Sequence, residues 1–169
     1  LRIAAFTTIP LFAVNAIATP RFAAEFKSNN MLRLQQTITN ASKLILVISL
    51  PIIILCILSS QFLLSIFGAE YIVGTLPLIV LLVGQLFNSA SGSVMNILQM
   101  TGYEKLGNRI VLISALWNVF FNLILIPRYG ILGAAISSAT SLILWNLLGV
   151  YFVWRRLGIR SFYLPLFLR

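Results

Sequence analysis

The sequence contains no histidine and no aspartate, and its only acidic residues are Glu25, Glu70 and Glu104. Without histidine or a carboxylate deep in an apolar segment, no nucleophile can be paired with a general base, and no glycine-rich phosphate loop is present. The single cysteine, Cys56, has neither a disulfide partner nor metal-ligand spacing. We therefore expect no enzyme, no catalytic residues, no metal site and no cofactor.

Charge of either sign is scarce: 9% of residues are charged, against about 25% in an average soluble domain. Twelve Lys and Arg against three acids give a formal net charge of +9. The cations lie singly or in pairs between long uncharged stretches, unlike the dense basic patches that bind nucleic acid. We expect no nucleic-acid partner.

What the chain has in abundance is apolar sequence, with 60% hydrophobic residues and a mean hydropathy of +1.01. A soluble domain of 169 residues cannot bury this fraction around one core, so the solvent for much of the surface is lipid. Each uncharged run is long enough to cross a bilayer and lacks the alternation of barrel strands. The sequence predicts an all-α polytopic membrane protein with about five transmembrane helices, at residues 3–22, 44–67, 75–100, 108–127 and 131–154.

Basic residues alternate between the two sides of this arrangement. The loops after the first, third and fifth spans hold four, two and three cations, whereas Arg2 and Arg128 lie on the other side. Because cytoplasmic loops retain Lys and Arg, these three loops are predicted to be cytoplasmic. The long first loop, 21–43, is expected to begin an amphipathic helix with Met31, Leu34 and Ile38 on its apolar side.

Polar residues recur at helical spacing inside the third and fourth predicted spans. A polar group in a bilayer must be satisfied by another helix, by water in a cavity or by a ligand. One interpretation is the wall of a hydrated cavity that hydrogen-bonds sugar hydroxyls, and the other is hydrogen bonding between packed helices. In the fifth span, Gly133, Ser137 and Ser141 form a face of small residues that favours close helix packing. The two polar stripes consist of Gln85, Asn88, Gly92, Asn96 and Gln99, and of Ser114, Asn118 and Asn122.

Several short motifs, weak singly but ordered and spaced together, carry a family resemblance. They are Phe-Gly-Ala-Glu-Tyr at 67–71, Gly-Gln at 84–85, Thr-Gly-Tyr-Glu-Lys at 101–105, Asn118 and Asn122, Ile-Pro-Arg-Tyr-Gly-Ile-Leu-Gly-Ala-Ala at 126–135 and Leu-Gly-Ile at 157–159. Together they resemble the C-terminal half of polysaccharide biosynthesis flippases, the Wzx-type oligosaccharide-lipid translocases of the multidrug/oligosaccharidyl-lipid/polysaccharide exporter superfamily.

The resemblance implies a two-lobe transporter in a bacterial or archaeal inner membrane. Residues 1–169 are then a fragment forming most of the C-terminal lobe, with the N-terminal lobe of the same chain as a partner. The substrate would be an undecaprenyl-diphosphate-linked oligosaccharide, moved by alternating access for O-antigen, capsule or exopolysaccharide synthesis. Membrane lipids are the other expected partner.

The expected site follows from the stripes and the resemblance together. The cavity-lining residues would be Gln85, Asn88, Asn96, Gln99, Asn118 and Asn122. Basic residues contact the lipid diphosphate in several members of the resembled family, but here none lies securely inside a span. The candidate head-group contacts are therefore those at span ends, namely Arg2, Arg109 and Arg128.

Alternative functions remain open. A multidrug and toxic-compound cation antiporter of the same superfamily would need a buried carboxylate for ion coupling, and none is visible in these spans. A glycan-processing membrane enzyme would need catalytic residues in an outer loop, and the loops near Glu70 and Arg128 are short. A membrane scaffold without transport activity is a further alternative.

Overall fold

A computed structural model describes residues 2–162, with side chains described from Ala4 onward. The regular structure of this part of the chain is helical throughout, which confirms the predicted all-α class. Arg169 lies outside the described residues. The helices are α1 (Arg2–Phe6), α2 (Ile9–Lys27), α3 (Met31–Leu58), α4 (Ser60–Ser65), a 3-10 helix (Ala69–Gly74), α5 (Thr75–Ser91), α6 (Val94–Met100), α7 (Glu104–Tyr129) and α8 (Ile131–Leu157).

Within residues 2–162, four helical segments are long and apolar enough to cross a membrane, rather than the five predicted. They are Met31–Leu58, Ala69–Ser91, Glu104–Tyr129 and Ile131–Leu157. The predicted first span, 3–22, is divided between α1 and α2. Helix α2 is not one of the four. The break before it shortens its apolar part, and its last third carries Arg21, Glu25 and Lys27.

The interruption between α1 and α2 has a local cause. Pro10 lacks a backbone N–H, so it cannot donate to the carbonyl of residue 6 and instead occupies the first turn of α2, where proline is tolerated. The hydroxyls of Thr7 and Thr8 donate to the carbonyls of Ala4 and Ala5, each at 2.7 Å, and the backbone N–H groups of the same two threonines donate to the same carbonyls.

The region 21–43, predicted as a loop, is helical except at 28–30. No strong helix breaker lies between Arg21 and Lys27, so α2 continues past its apolar part. Asn30 then starts α3 by accepting a hydrogen bond from the backbone N–H of Arg33 at 3.1 Å. The expectation of an amphipathic helix starting near Met31 is confirmed, since Leu34 and Ile38 are buried.

Two further predicted spans are also broken. The span 44–67 ends its first helix at Leu58 and resumes, after Ser59, as α4. The span 75–100 is interrupted at Gly92, which has a φ of +69° and ends α5. An apolar run indicates which residues lie in lipid. The breaks depend on local backbone conformation, which hydropathy does not report.

Helix α8 is packed against both α5 and α7, and α3 is packed against both α2 and α5. One hydrophobic core joins Phe22, Ile38, Leu98 and Val153, on α2, α3, α6 and α8. Helix α7 contacts its neighbours along one side only, where Ile110 and Ser114 are buried. Its other faces expose large apolar side chains, as expected for a helix that meets lipid.

Candidate functional site

A cavity of about 330 Å³ lies where α1, α5, α7 and α8 meet. It brings together one residue from each predicted polar stripe, Gln85 of α5 and Asn118 of α7. Helix α8 contributes Ser138 and Ser141. No lining residue is charged, so the described wall offers neutral hydrogen-bonding groups between apolar surfaces. The remaining lining residues are Ala4, Ala5, Leu81, Ala139, Leu142 and Trp145.

An amide network connects Gln85 to the interior of the bundle. Asn88 Nδ2 donates to Gln85 Oε1 at 3.2 Å, one turn along α5. Asn146 on α8 donates to Asn88 Oδ1 at 3.1 Å and to the carbonyl of Leu142 at 2.9 Å. Asn146 is only 2% exposed, so its side chain is held by protein partners. Gln85 Nε2 makes no hydrogen bond to any described residue, so this side of the amide can bind a molecule in the cavity.

The second stripe is also held by amide hydrogen bonding. Asn122 Nδ2 donates to Asn118 Oδ1 at 2.8 Å, as their i, i+4 spacing predicts. Asn122 Oδ1 is buried and has no hydrogen-bond partner among the described residues. Helices α7 and α8 are further joined by the Ser141 hydroxyl, which donates to the carbonyl of Ser114 at 2.7 Å. The stripe amides thus divide between the two interpretations: Gln85 and Asn118 line the cavity, whereas Asn88 links α5 to α8 through Asn146.

A second cavity, of about 530 Å³, lies next to the first and shares Leu81 and Ser138 with it. It extends along α5 and α8 to the 3-10 helix, where Glu70 and Tyr71 contribute to its wall. The groove between α5 and α8 thus continues from the amide-lined cavity to one end of the helices.

Asn96 and Gln99 lie apart from this cavity. Asn96 Nδ2 donates to Thr19 Oγ1 on α2 at 3.2 Å, and Gln99 is exposed on α6. The spacing of the first stripe assumed one continuous helix, and the break at Gly92 ends that continuity. Four of the six predicted site residues therefore lie at or next to the cavity: Gln85 and Asn118 line it, and Asn88 and Asn122 are hydrogen-bonded to them. Asn96 and Gln99, which follow the break, do not.

The break itself is a buried polar region. Gly92 lies so close to α3 that a Cβ at this position would collide with Ser42 Oγ. The Ser42 hydroxyl is buried with no hydrogen-bond partner among the described residues. On the other side, the Ser93 hydroxyl donates to Asn15 Oδ1 on α2. The break thus joins α2, α3 and α5 through small and polar residues.

The candidate head-group contacts do not line the amide cavity. Arg109 and Arg128 are exposed near the two ends of α7. Arg2 begins α1, and its side chain lies outside the described residues. Contacts between these cations and a lipid head group stay a prediction.

Asn146 was missed by the sequence reasoning although it is the most buried amide of the network. It stands alone between tryptophan and leucines in the last span, so no stripe marked it. The available signal was the requirement that every polar group in a lipid-embedded helix finds a partner. An asparagine at the centre of an apolar run is therefore informative even without a periodic neighbour.

Comparison with known proteins gives a family and distant relatives. The sequence matches the MatE family over residues 1–124. It is 25% identical over 143 residues to "Uncharacterized membrane protein MJ1068" of Methanocaldococcus jannaschii, covering 84% of this chain and 28% of that protein. It is 26% identical over 141 residues to "Probable low-salt glycan biosynthesis flippase Agl15" of Haloferax volcanii, covering 83% and 30%. The chain spans less than a third of the length of these relatives. No solved structure matches it.

Proposed function

The chain belongs to the MatE family, within the multidrug/oligosaccharidyl-lipid/polysaccharide exporter superfamily, and from this premise we propose that it forms part of a flippase for lipid-linked oligosaccharides. Members of this family are transporters, and the helices described above are those of a multi-pass membrane protein. The proposed substrate is a glycan on an undecaprenyl-diphosphate carrier, and the proposed location is the inner membrane.

The observation that carries the proposal is the neutral, amide-lined cavity at Gln85 and Asn118. Sugar hydroxyls both donate and accept hydrogen bonds, and amide and serine side chains do the same without a fixed charge. A cation substrate would favour an acidic wall; the described residues that line this cavity include no carboxylate, and the one in the adjoining cavity, Glu70, lies at the 3-10 helix. The lining thus supports a glycan rather than a drug cation.

The diphosphate requires positive charge, which the amide cavity does not supply. We place that role on cations at helix ends, with Arg109, Arg128 and Arg2 as candidates. An arginine at the end of a membrane helix can reach an interfacial phosphate because its aliphatic stem stays in the apolar layer. This division assigns recognition of the glycan to α5, α7 and α8 and recognition of the head group to the start of α1 and the two ends of α7.

Deletion and complementation of the gene test this proposal. Cells without the gene are expected to accumulate lipid-linked oligosaccharide on the cytoplasmic face and to lose the corresponding surface glycan, with both effects reversed by the full-length gene. An unchanged glycan combined with increased sensitivity to cationic drugs would contradict the flippase assignment and favour the antiporter.

A further inference from the structure

A groove of about 340 Å³ runs between α2 and α3, separate from the cavity at Gln85. The two spaces have no lining residue in common. The groove is open along one side, and small side chains on both helices leave it unfilled. Its lining residues are Ala13, Val14, Ile17, Ala18, Arg21, Thr37, Asn40, Ala41 and Leu44.

The groove is amphipathic along its length. Toward residues 13 and 44 its wall is aliphatic, whereas the end nearest the 28–30 turn carries Arg21, Thr37 and Asn40. Arg21 and Asn40 are exposed. This combination of an apolar trough and a cationic, hydrogen-bonding end matches a lipid with an anionic head group and an acyl chain.

The position of Arg21 fits the interface between head groups and hydrocarbon. It precedes the 28–30 turn by seven helical residues, or about 10 Å at 1.5 Å per residue. The head-group layer on each side of a bilayer is roughly 6 Å thick. With the turn at the outer edge of this layer, the Cα of Arg21 lies about 4 Å inside the hydrocarbon, and its aliphatic stem can carry the guanidinium back to the lipid phosphates. The aliphatic wall beyond Arg21 then lies at the depth of the acyl chains.

The local charge also favours an anion. Residues 21–43 contain Arg21, Lys27, Arg33 and Lys43 against the single acid Glu25. Glu25 is not one of the residues that line the groove; its Oε1 accepts the Thr37 hydroxyl at 2.8 Å, and its Oε2 is buried without a hydrogen-bond partner among the described residues. The guanidinium of Arg21 is therefore the charged group that the groove presents.

The geometry points to an anionic phospholipid of the surrounding bilayer as the occupant of this groove, with its phosphate at Arg21 and one acyl chain along α2 and α3. A single arginine balances the single charge of a phosphodiester, whereas the diphosphate of a glycan carrier would bring at least one further charge. The inference goes beyond the proposed transport function, and it is tested without any transport measurement.

The experiment counts the lipids that stay bound to the full-length gene product. The protein is reconstituted in vesicles of equal phosphatidylglycerol and phosphatidylcholine, extracted in detergent and analysed by native mass spectrometry. We expect phosphatidylglycerol to be retained in preference to phosphatidylcholine. Arg21→Gln should reduce that preference about tenfold, since a charge-assisted hydrogen bond is lost. Arg156→Gln, a substitution of the same chemistry at an exposed arginine outside the groove, should leave it unchanged.

Two further variants test the positive charge of Arg21 and the aliphatic part of the groove independently. Arg21→Lys keeps the positive charge and should keep the preference for phosphatidylglycerol. Ala13→Leu at an exposed lining position fills the trough and should lower retention of the bound lipid whatever its head group. Equal retention of both lipids, or equal behaviour of Arg21→Gln and Arg156→Gln, would overturn the inference. Recovery from native membranes of a glycan-linked lipid that Arg21→Gln removes would also overturn it.

Discussion

Asn146 on α8 donates from Nδ2 to Oδ1 of Asn88 on α5 at 3.1 Å. This hydrogen bond joins the last predicted span to the third. Asn88 in turn donates to Gln85, which lies at the cavity wall. A polar bridge in lipid fixes two helices in register, because neither amide has water as an alternative partner.

Removing this bridge should destabilise the bundle. Asn146→Ala leaves Asn88 Oδ1 without its donor, and we expect a loss of about 1–2 kcal/mol in the free energy of unfolding. The measurement is thermal unfolding in detergent of the full-length gene product. Gln99→Ala, at an exposed amide on α6, is the control and should change stability by less than about 0.5 kcal/mol. Equal effects of the two substitutions would contradict a structural role for the bridge.

The helix break should be intolerant of any side chain at Gly92. Alanine there would adopt a backbone conformation nearly restricted to glycine and would collide with Ser42. We expect Gly92→Ala to cost about 1–3 kcal/mol from the backbone alone, with a further loss from the collision. Stability is read by the temperature at which the detergent-solubilised protein aggregates.

Two further variants separate the cost of the backbone conformation from the cost of the collision with Ser42. Gly102 has a φ of +80° and open space around it, so Gly102→Ala tests a positive φ without a collision. Ser42→Gly combined with Gly92→Ala removes the hydroxyl and should recover part of the lost stability. If Ser42→Gly brings no recovery, α3 does not approach the break as described.

The small-residue face of α8 should depend on Gly133 more than on other glycines. A Cβ at Gly133 would overlap the backbone carbonyl of Leu125 on α7, which cannot move aside as a flexible side chain would. We expect Gly133→Ala to destabilise by about 1–3 kcal/mol through forced separation of α7 and α8. Urea or thermal unfolding of the purified protein measures it.

Gly107 provides the matched control inside α7. A Cβ there meets its nearest atoms at 3.9 Å, an ordinary contact distance. Gly107→Ala should therefore be neutral or stabilising by up to about 1 kcal/mol, since alanine is the better helix former. A destabilisation as large as that of Gly133→Ala would show that the α7–α8 contact is not the cause.

The sequence was sufficient for the class of the protein and for contacts within a continuous helix. The pair Asn118 and Asn122 shows this, since their spacing alone predicts the bond that the structure contains. The sequence did not predict the contacts made across the helix break at Gly92. The path of the chain at Gly92 is set with Ser42, fifty residues earlier, and a periodic pattern along one segment carries no information about that approach.

The same break explains why Asn96 and Gln99 of the first stripe lie away from the cavity. Asn96 meets Thr19 because α6 packs against α2 after the break. Helical spacing predicts a shared face only while the helix is unbroken. The number of spans differs for a related reason. Hydropathy predicts one span at 3–22, whereas the chain breaks before α2, and α2 continues through Arg21, Glu25 and Lys27.

The cavity offers a pair of variants that differ only in location. Gln85→Leu with Asn118→Leu replaces two amides at the cavity wall, whereas Asn96→Leu with Gln99→Leu replaces two amides away from it. The first pair should lower glycan export by about tenfold or more, because a site built to hydrogen-bond hydroxyls loses its partners. The second should change export less than twofold in cells with equal protein levels. Surface glycan per cell is the readout, and equal loss in both pairs would indicate a general packing defect.

The most direct measurement of the central claim is translocation by the purified full-length gene product in proteoliposomes. A lipid-linked oligosaccharide is placed in the inner leaflet, and its appearance outside is followed by binding of a lectin. The account predicts protein-dependent movement that Gln85→Leu with Asn118→Leu abolishes and Asn96→Leu with Gln99→Leu preserves. Translocation that survives the cavity pair, or none in a well-folded wild-type protein, would contradict it.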